Sequence, residues 1–153
     1  MAAVTRTHAG RSGDADAALM LQLFATADSV GAARRAVAEF CGQLGAARAL
    51  TDRVMLSVSE AVTNALVHAY RHLDEPSAER IELEARRAEE ALIVIVRDFG
   101  CGMGPRLDSP GLGLGLPLIA ASASSMQIGT PPGGGCTEVS MEFDLLEPLP
   151  DEA

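Results

Sequence analysis

Residues 80–102 read RIELEARRAEEALIVIVRDFGCG, and the fold turns on them. From Arg80 to Arg87 the apolar positions Ile81, Leu83 and Ala85 alternate with Arg80, Glu82 and Glu84. Period two is the mark of a strand with one buried face. Glu89-Glu90 makes a turn. Leu92–Val96 follows as an unbroken, largely β-branched run, as a central strand requires. So short a connection makes the pair an antiparallel hairpin.

Outward from this hairpin the period changes. On its N-terminal side, Val54, Val58, Ala61, Val62, Ala65 and Ala69 recur at helical spacing, predicting a helix from about Arg53 to His72 that Thr51 or Asp52 caps. Before it, Val30, Ala33, Val37 and Phe40 share one face of a helix that Asp28 or Ser29 caps and Gly45 ends. Residues 18–26 suit a first strand. On the C-terminal side ten of the fifteen glycines lie between Gly100 and Gly135. A short helix is expected from about Leu114 to Ser124 and a strand from Met126 to Gly129. A last strand alternates Val139, Met141 and Phe143 with Glu138, Ser140 and Glu142. The order β-α-α-β-β-loop-α-β-β predicts an α/β two-layer sandwich, a mixed, mostly antiparallel sheet with helices on one face. We expect one domain over residues 17–146, a flexible tail at 1–16 and a frayed acidic tail at 147–153.

Composition narrows the chemistry. The 153 residues carry 12 basic and 21 acidic side chains, a net charge of −9, with 48% apolar residues and mean hydropathy +0.17. That is a foldable chain with no basic stripe, and five aromatics give it little to stack on bases; direct nucleic-acid binding is not expected. All basic residues are Arg. Without Lys there is no Schiff base, no Walker-type phosphate-loop lysine and no eukaryotic-type protein kinase, so Asp98-Phe99-Gly100 is not a kinase magnesium loop. Three widely spaced cysteines form neither a disulfide framework nor a metal pattern. No apolar stretch suits a signal peptide or a membrane span, and a cytoplasmic protein is expected.

Four short motifs carry chemistry. Glu60 and Asn64 lie one turn apart on the second helix, beside its apolar stripe. The amide oxygen can bind a hard cation such as Mg²⁺ while the carboxylate orients or deprotonates a nucleophile; equally, the pair can be a polar helix margin. Asp98 ends a buried strand, followed by Gly100 and Gly102. This suits a ligand with an amino group, such as adenine, or an Asp that merely caps a turn. Gly111, Gly113 and Gly115 alternate with leucines before a helix, offering backbone N–H groups to phosphate oxygens, or forming a tight loop. Gly133-Gly134-Gly135-Cys136-Thr137 sets a hydroxyl at a strand start.

Taken in order, E-x-x-x-N, D-x-G-x-G, G-x-G-x-G and G-G-x-T resemble the nucleotide-binding fold of the gyrase, Hsp90, histidine-kinase and MutL ATPase superfamily. Ser57-Val58-Ser59-Glu60-Ala61-Val62-Thr63-Asn64-Ala65, with His68 and Tyr70, resembles more particularly the bacterial anti-sigma-factor serine/threonine kinases. The resemblance covers about residues 18–143. It implies ATP and Mg²⁺ as cofactors, with Glu60 as the catalytic base or water-orienting carboxylate and Asn64 on the metal. Asp98 would accept the adenine amino group, Thr137 would assist through a water, and Gly100 and Gly102 would let the loop pass close to the base. Gly111, Gly113 and Gly115 would form the lid hinge and phosphate cradle; Arg106, in the lid, is an added candidate for a phosphate. Such proteins bind a sigma factor, phosphorylate an antagonist of the sulfate-transporter and anti-sigma-antagonist fold, and commonly form a homodimer. The length leads us to expect a stand-alone kinase. The lid, Gly104–Pro110, is short for the family. Its Gly-Leu repeats also resemble the switch kinases of stress signalling, which need not bind sigma; a nucleotide-binding sequestration module is the other alternative.

Overall fold

The computed structural model describes residues 5–9, 17–69, 80–100 and 115–146. Its elements run β1 (Thr5–Ala9), β2 (Ala18–Phe24), α1 (Asp28–Gln43), α2 (Arg48–Asn64), β3 (Arg80–Ala88), β4 (Ala91–Asp98), α3 (Gly115–Ser122), β5 (Ser125–Gly129) and β6 (Thr137–Asp144). One π-helical turn, Ala65–Ala69, extends α2. The six strands form one sheet in the order β1-β2-β3-β4-β6-β5.

Every strand pairing among the described residues is antiparallel, so the sheet is not mixed as expected. The reason is connectivity: β3 and β4 are joined by the two-residue turn Glu89-Glu90, and the strands beside them enter from opposite ends. Glu89 adopts φ 54° to close that turn. A second difference lies in the stretch expected to be a tail. Thr5–Ala9 pairs with β2 as an edge strand, because β2 otherwise presents unpaired N–H and C=O groups to solvent.

Register places the side chains in rows. Leu21, Leu83, Val96 and Val139 lie side by side across β2, β3, β4 and β6; Leu19, Ala85, Val94 and Met141 form the next row. All are buried, and they pack against Ala33, Val37 and Phe40 of α1, Val54, Val58 and Val62 of α2, and Ile119 of α3 in a single core. Fully burying a side chain of this kind contributes about 1.5–3 kcal/mol. Among the described residues no helix covers the other sheet face. Ile93 and Ile95 point there and are only half-buried, so the apolar run at β4 marks a central strand with one covered face.

The helix ends differ from expectation in detail. Neither Asp28 nor Ser29 caps α1; Ala27 is its N-cap, and the buried Ser29 hydroxyl donates instead to the carbonyl of Phe24. Gly45 does end α1. At φ 68° it donates its N–H to Gly42 (3.1 Å), while Ala46 donates to Cys41 (3.0 Å), the paired bonds of a Schellman turn. That tight turn lets α2 begin at once, at Arg48, before the expected Thr51 or Asp52; the Thr51 hydroxyl donates back to Ala47 (3.2 Å). Replacing Gly45 by Ala places a Cβ in the left-handed region and should lower stability by about 1 kcal/mol. Thermal unfolding will show the loss.

Candidate functional site

The alternation of β4 buries Leu92, Val94 and Val96, and its next inward position is Asp98. A carboxylate therefore occupies a core position, 7% exposed. It stands directly opposite Ile81 of β3 and Thr137 of β6, the latter 4% exposed. Asp98 and Thr137 thus form one rung on the helix-covered face. The Gly100 N–H donates to Asp98 Oδ1 at 3.3 Å. Burial pushes the Asp98 pKa above its ordinary 3.8, and the Gly100 hydrogen bond offsets part of the shift. A carboxylate left so short of donors suits a ligand amino group.

Thr137 is held there by what precedes it. Gly133, Gly134 and Gly135 have φ of 103°, 69° and 83°, and nothing would obstruct a Cβ at any of them. The three glycines are required by backbone handedness, and the turn they make delivers Thr137 to the end of β6.

The helix motif lies on α2, which packs against the strands that carry this rung. Glu60 and Asn64 are successive half-buried positions on α2, and α2 packs against both β4 and β6. Asn64 is the last residue before the π turn, which itself packs against β4. Its Nδ2 is buried and has no hydrogen-bond partner among the described residues. No group of three or more His, Cys, Asp or Glu able to hold a metal occurs among the described residues. One amide oxygen near one carboxylate suits Mg²⁺, which keeps water and phosphate oxygens as its other ligands.

Gly115 opens α3, which packs on α2. Gly100 directly follows β4. Gly102, Arg106, Gly111 and Gly113 lie outside the described residues, as do Cys101 and the rest of the lid. Asp98 and Thr137 are therefore brought together, and Glu60 and Asn64 lie on the helix packed against their strands.

Two features escaped the sequence reading. The first is the π turn: Ala65–Ala69 continues the apolar stripe, and nothing in its composition signals a wider winding. The second is on the opposite sheet face, where Arg97 donates through Nε to Glu138 Oε2 (2.7 Å) and through Nη1 to Glu84 Oε2 (3.1 Å). The alternation put Arg97 and Glu138 on the outer face, but only the register makes them neighbours. Close by, the Arg80 guanidinium lies 4.3 Å from the centre of the Phe99 ring.

The covered face of the antiparallel sheet thus carries a carboxylate and a hydroxyl, and the helix packed on it bears Glu and Asn. The chain belongs to the histidine kinase-like ATPase domain family, which matches residues 23–143, and so has an ATP-binding fold. The anti-sigma F factor of Clostridium perfringens (strain SM101 / Type A) is 36% identical over 89 residues, covering 58% of this chain and 61% of that protein. Among solved structures, the RsbU and RsbW domains of a Mycobacterium tuberculosis protein superpose with TM-score 0.66 at 22% identity, covering 84% of this chain and 32% of that one. The SiaB-SiaC complex of Pseudomonas aeruginosa gives TM-score 0.58 at 14% identity, covering 85% and 91%. At these identities the two structures share the fold. No helix among the described residues is long and apolar enough to cross a membrane.

The raised Asp98 pKa fixes a sign. The protonated group favours the folded state below pH 3.8, and that contribution is lost as pH rises through the higher folded value. Asn does not titrate. The stability of nucleotide-free Asp98→Asn relative to the unsubstituted protein should therefore increase from pH 3 to pH 7. Urea unfolding across that range tests it; a difference independent of pH would place the carboxylate in water.

Proposed function

We propose that this chain is an ATP-dependent protein serine/threonine kinase and anti-sigma regulatory factor. The observation that carries the reading is the buried Asp98–Thr137 rung, on strands against which the Glu60–Asn64 helix packs. The likeness to anti-sigma F factor selects the regulatory class.

Asp98 accepts a hydrogen bond from the adenine amino group, with Thr137 contributing through a water, and Gly100 and Gly102 leave room for the ring. Gly111, Gly113 and Gly115 present backbone N–H groups to the phosphates and hinge the lid, and Arg106 pairs with a phosphate. Asn64 would hold Mg²⁺ through its amide oxygen, and the ion would supply positive charge to the transferring phosphoryl group. Glu60 takes the proton of the acceptor Ser or Thr hydroxyl as its oxygen bonds to the γ-phosphorus and the bond to the ADP oxygen breaks. The missing lysine is no handicap, because amide, backbone and Arg groups supply the phosphate contacts.

The partners follow from the same reading: an antagonist protein as phosphoacceptor and a sigma factor as the protein sequestered. A net charge of −9 favours a basic sigma surface, and that binding should weaken with salt. We assign the chain to the cytoplasm, where such partners reside, and take its working form to be a homodimer.

The test is phosphoryl transfer from labelled ATP to the cognate antagonist, run with Glu60→Gln alongside. Loss of a general base costs roughly 10²–10⁴-fold in rate, so Glu60→Gln should all but abolish transfer while Mg-ATP still raises the melting temperature. No transfer by the unsubstituted protein, with sigma binding intact, would leave a sequestration module. Transfer without sigma binding would indicate a stress-signalling switch kinase.

A further inference from the structure

The rung that carries Asp98 is the last of its ladder on both sides. β4 ends at Asp98 and β6 begins at Thr137, so no later β4–β6 pair holds them together. On the β3 side the pairing also ends at Ile81–Asp98. Terminal rungs open first, because nothing beyond them has to open too. A site that recognises a base through such a rung needs something to keep it shut.

Arg97 sits one residue earlier and points to the opposite face. Its guanidinium bonds Glu138 of β6, on the adjoining rung, at 2.7 Å, and Glu84 of β3 at 3.1 Å. One planar side chain thus ties β4 to both its neighbours. The two directions of donation need the forked geometry that only Arg provides. Exposed ion pairs contribute little, but these side chains are only 23–28% exposed, and a group shared by two carboxylates is already ordered for the second.

We propose that Arg97 is a positioning residue for base selection, clamping β3, β4 and β6 so that the Asp98–Thr137 rung stays closed against the base. The proposal rests on the reading of Asp98 as the adenine acceptor. Adenine offers an amino hydrogen where guanine offers a carbonyl oxygen, so a fixed carboxylate attracts one and repels the other. A rung free to open lets the carboxylate retreat toward water, and the penalty on guanine falls with it. Arg97 itself touches neither base nor phosphate.

Calorimetric titration with MgATP and with MgGTP tests this on Arg97→Met, Glu138→Gln and Asp98→Asn, all in the full chain. The two clamp variants should each lower the ATP-to-GTP affinity ratio by about fivefold or more, the lower end of what coupling between separate sites produces. Combining them should lower it no further than Arg97→Met alone. A general loss of stability would weaken both nucleotides in proportion and leave the ratio intact, and that result overturns the proposal. Glu138→Gln is nearly isosteric and keeps the test open if Arg97→Met does not fold. Asp98→Asn separates the two ideas: a ratio it leaves unchanged overturns the adenine reading itself. A ratio that collapses in Asp98→Asn but survives in the clamp variants overturns the role of Arg97 alone.

Discussion

The molecule is organised around a carboxylate in a place reserved for hydrocarbon. The inward positions of β4 run Leu92, Val94, Val96 and then Asp98, and the last is nearly as buried as the others. Burying an ionised group costs stability unless it is paired, and among the described residues the Gly100 N–H is what attends it. The surrounding structure is arranged to tolerate this cost. Two hydrophobic rows hold the sheet to its helices, the glycine turn at 133–135 sets Thr137 opposite, and ion pairs grip the far face.

Much of this was legible in the sequence because it depends on local periodicity. The β3–β4 hairpin announces itself through alternation and a two-residue turn. The stripe on α2 gives a helix and places Glu60 above Asn64, and a strand ending in Asp before Gly-x-Gly gives the buried carboxylate. Gly45 reads correctly as a helix stop, since a left-handed residue there is cheap only for glycine. What was not legible depends on partners remote in the chain. Arg97 and Glu138 are 41 residues apart, and no local rule pairs them. The strand at Thr5–Ala9 forms because β2 needs an edge partner. Both missing caps trace to neighbours as well: Ser29 turns to Phe24, and the Schellman turn starts α2 early.

The π turn has a different status. Wider winding inserts a residue into a helix and costs hydrogen-bond geometry, so it persists where the displaced side chains are useful. It begins directly after Asn64, whose amide nitrogen is buried with no hydrogen-bond partner among the described residues.

Between Asp98, where β4 ends, and Gly115, where α3 begins, lies one connection whose two ends are anchored in the packed fold. Such a connection has an evolutionary consequence. The entropy of closing it grows only with the logarithm of its length. Residues can be lost from it or added to it at little thermodynamic cost to the sheet. Selection can therefore lengthen or shorten this connection while the Asp98–Thr137 pair stays in register.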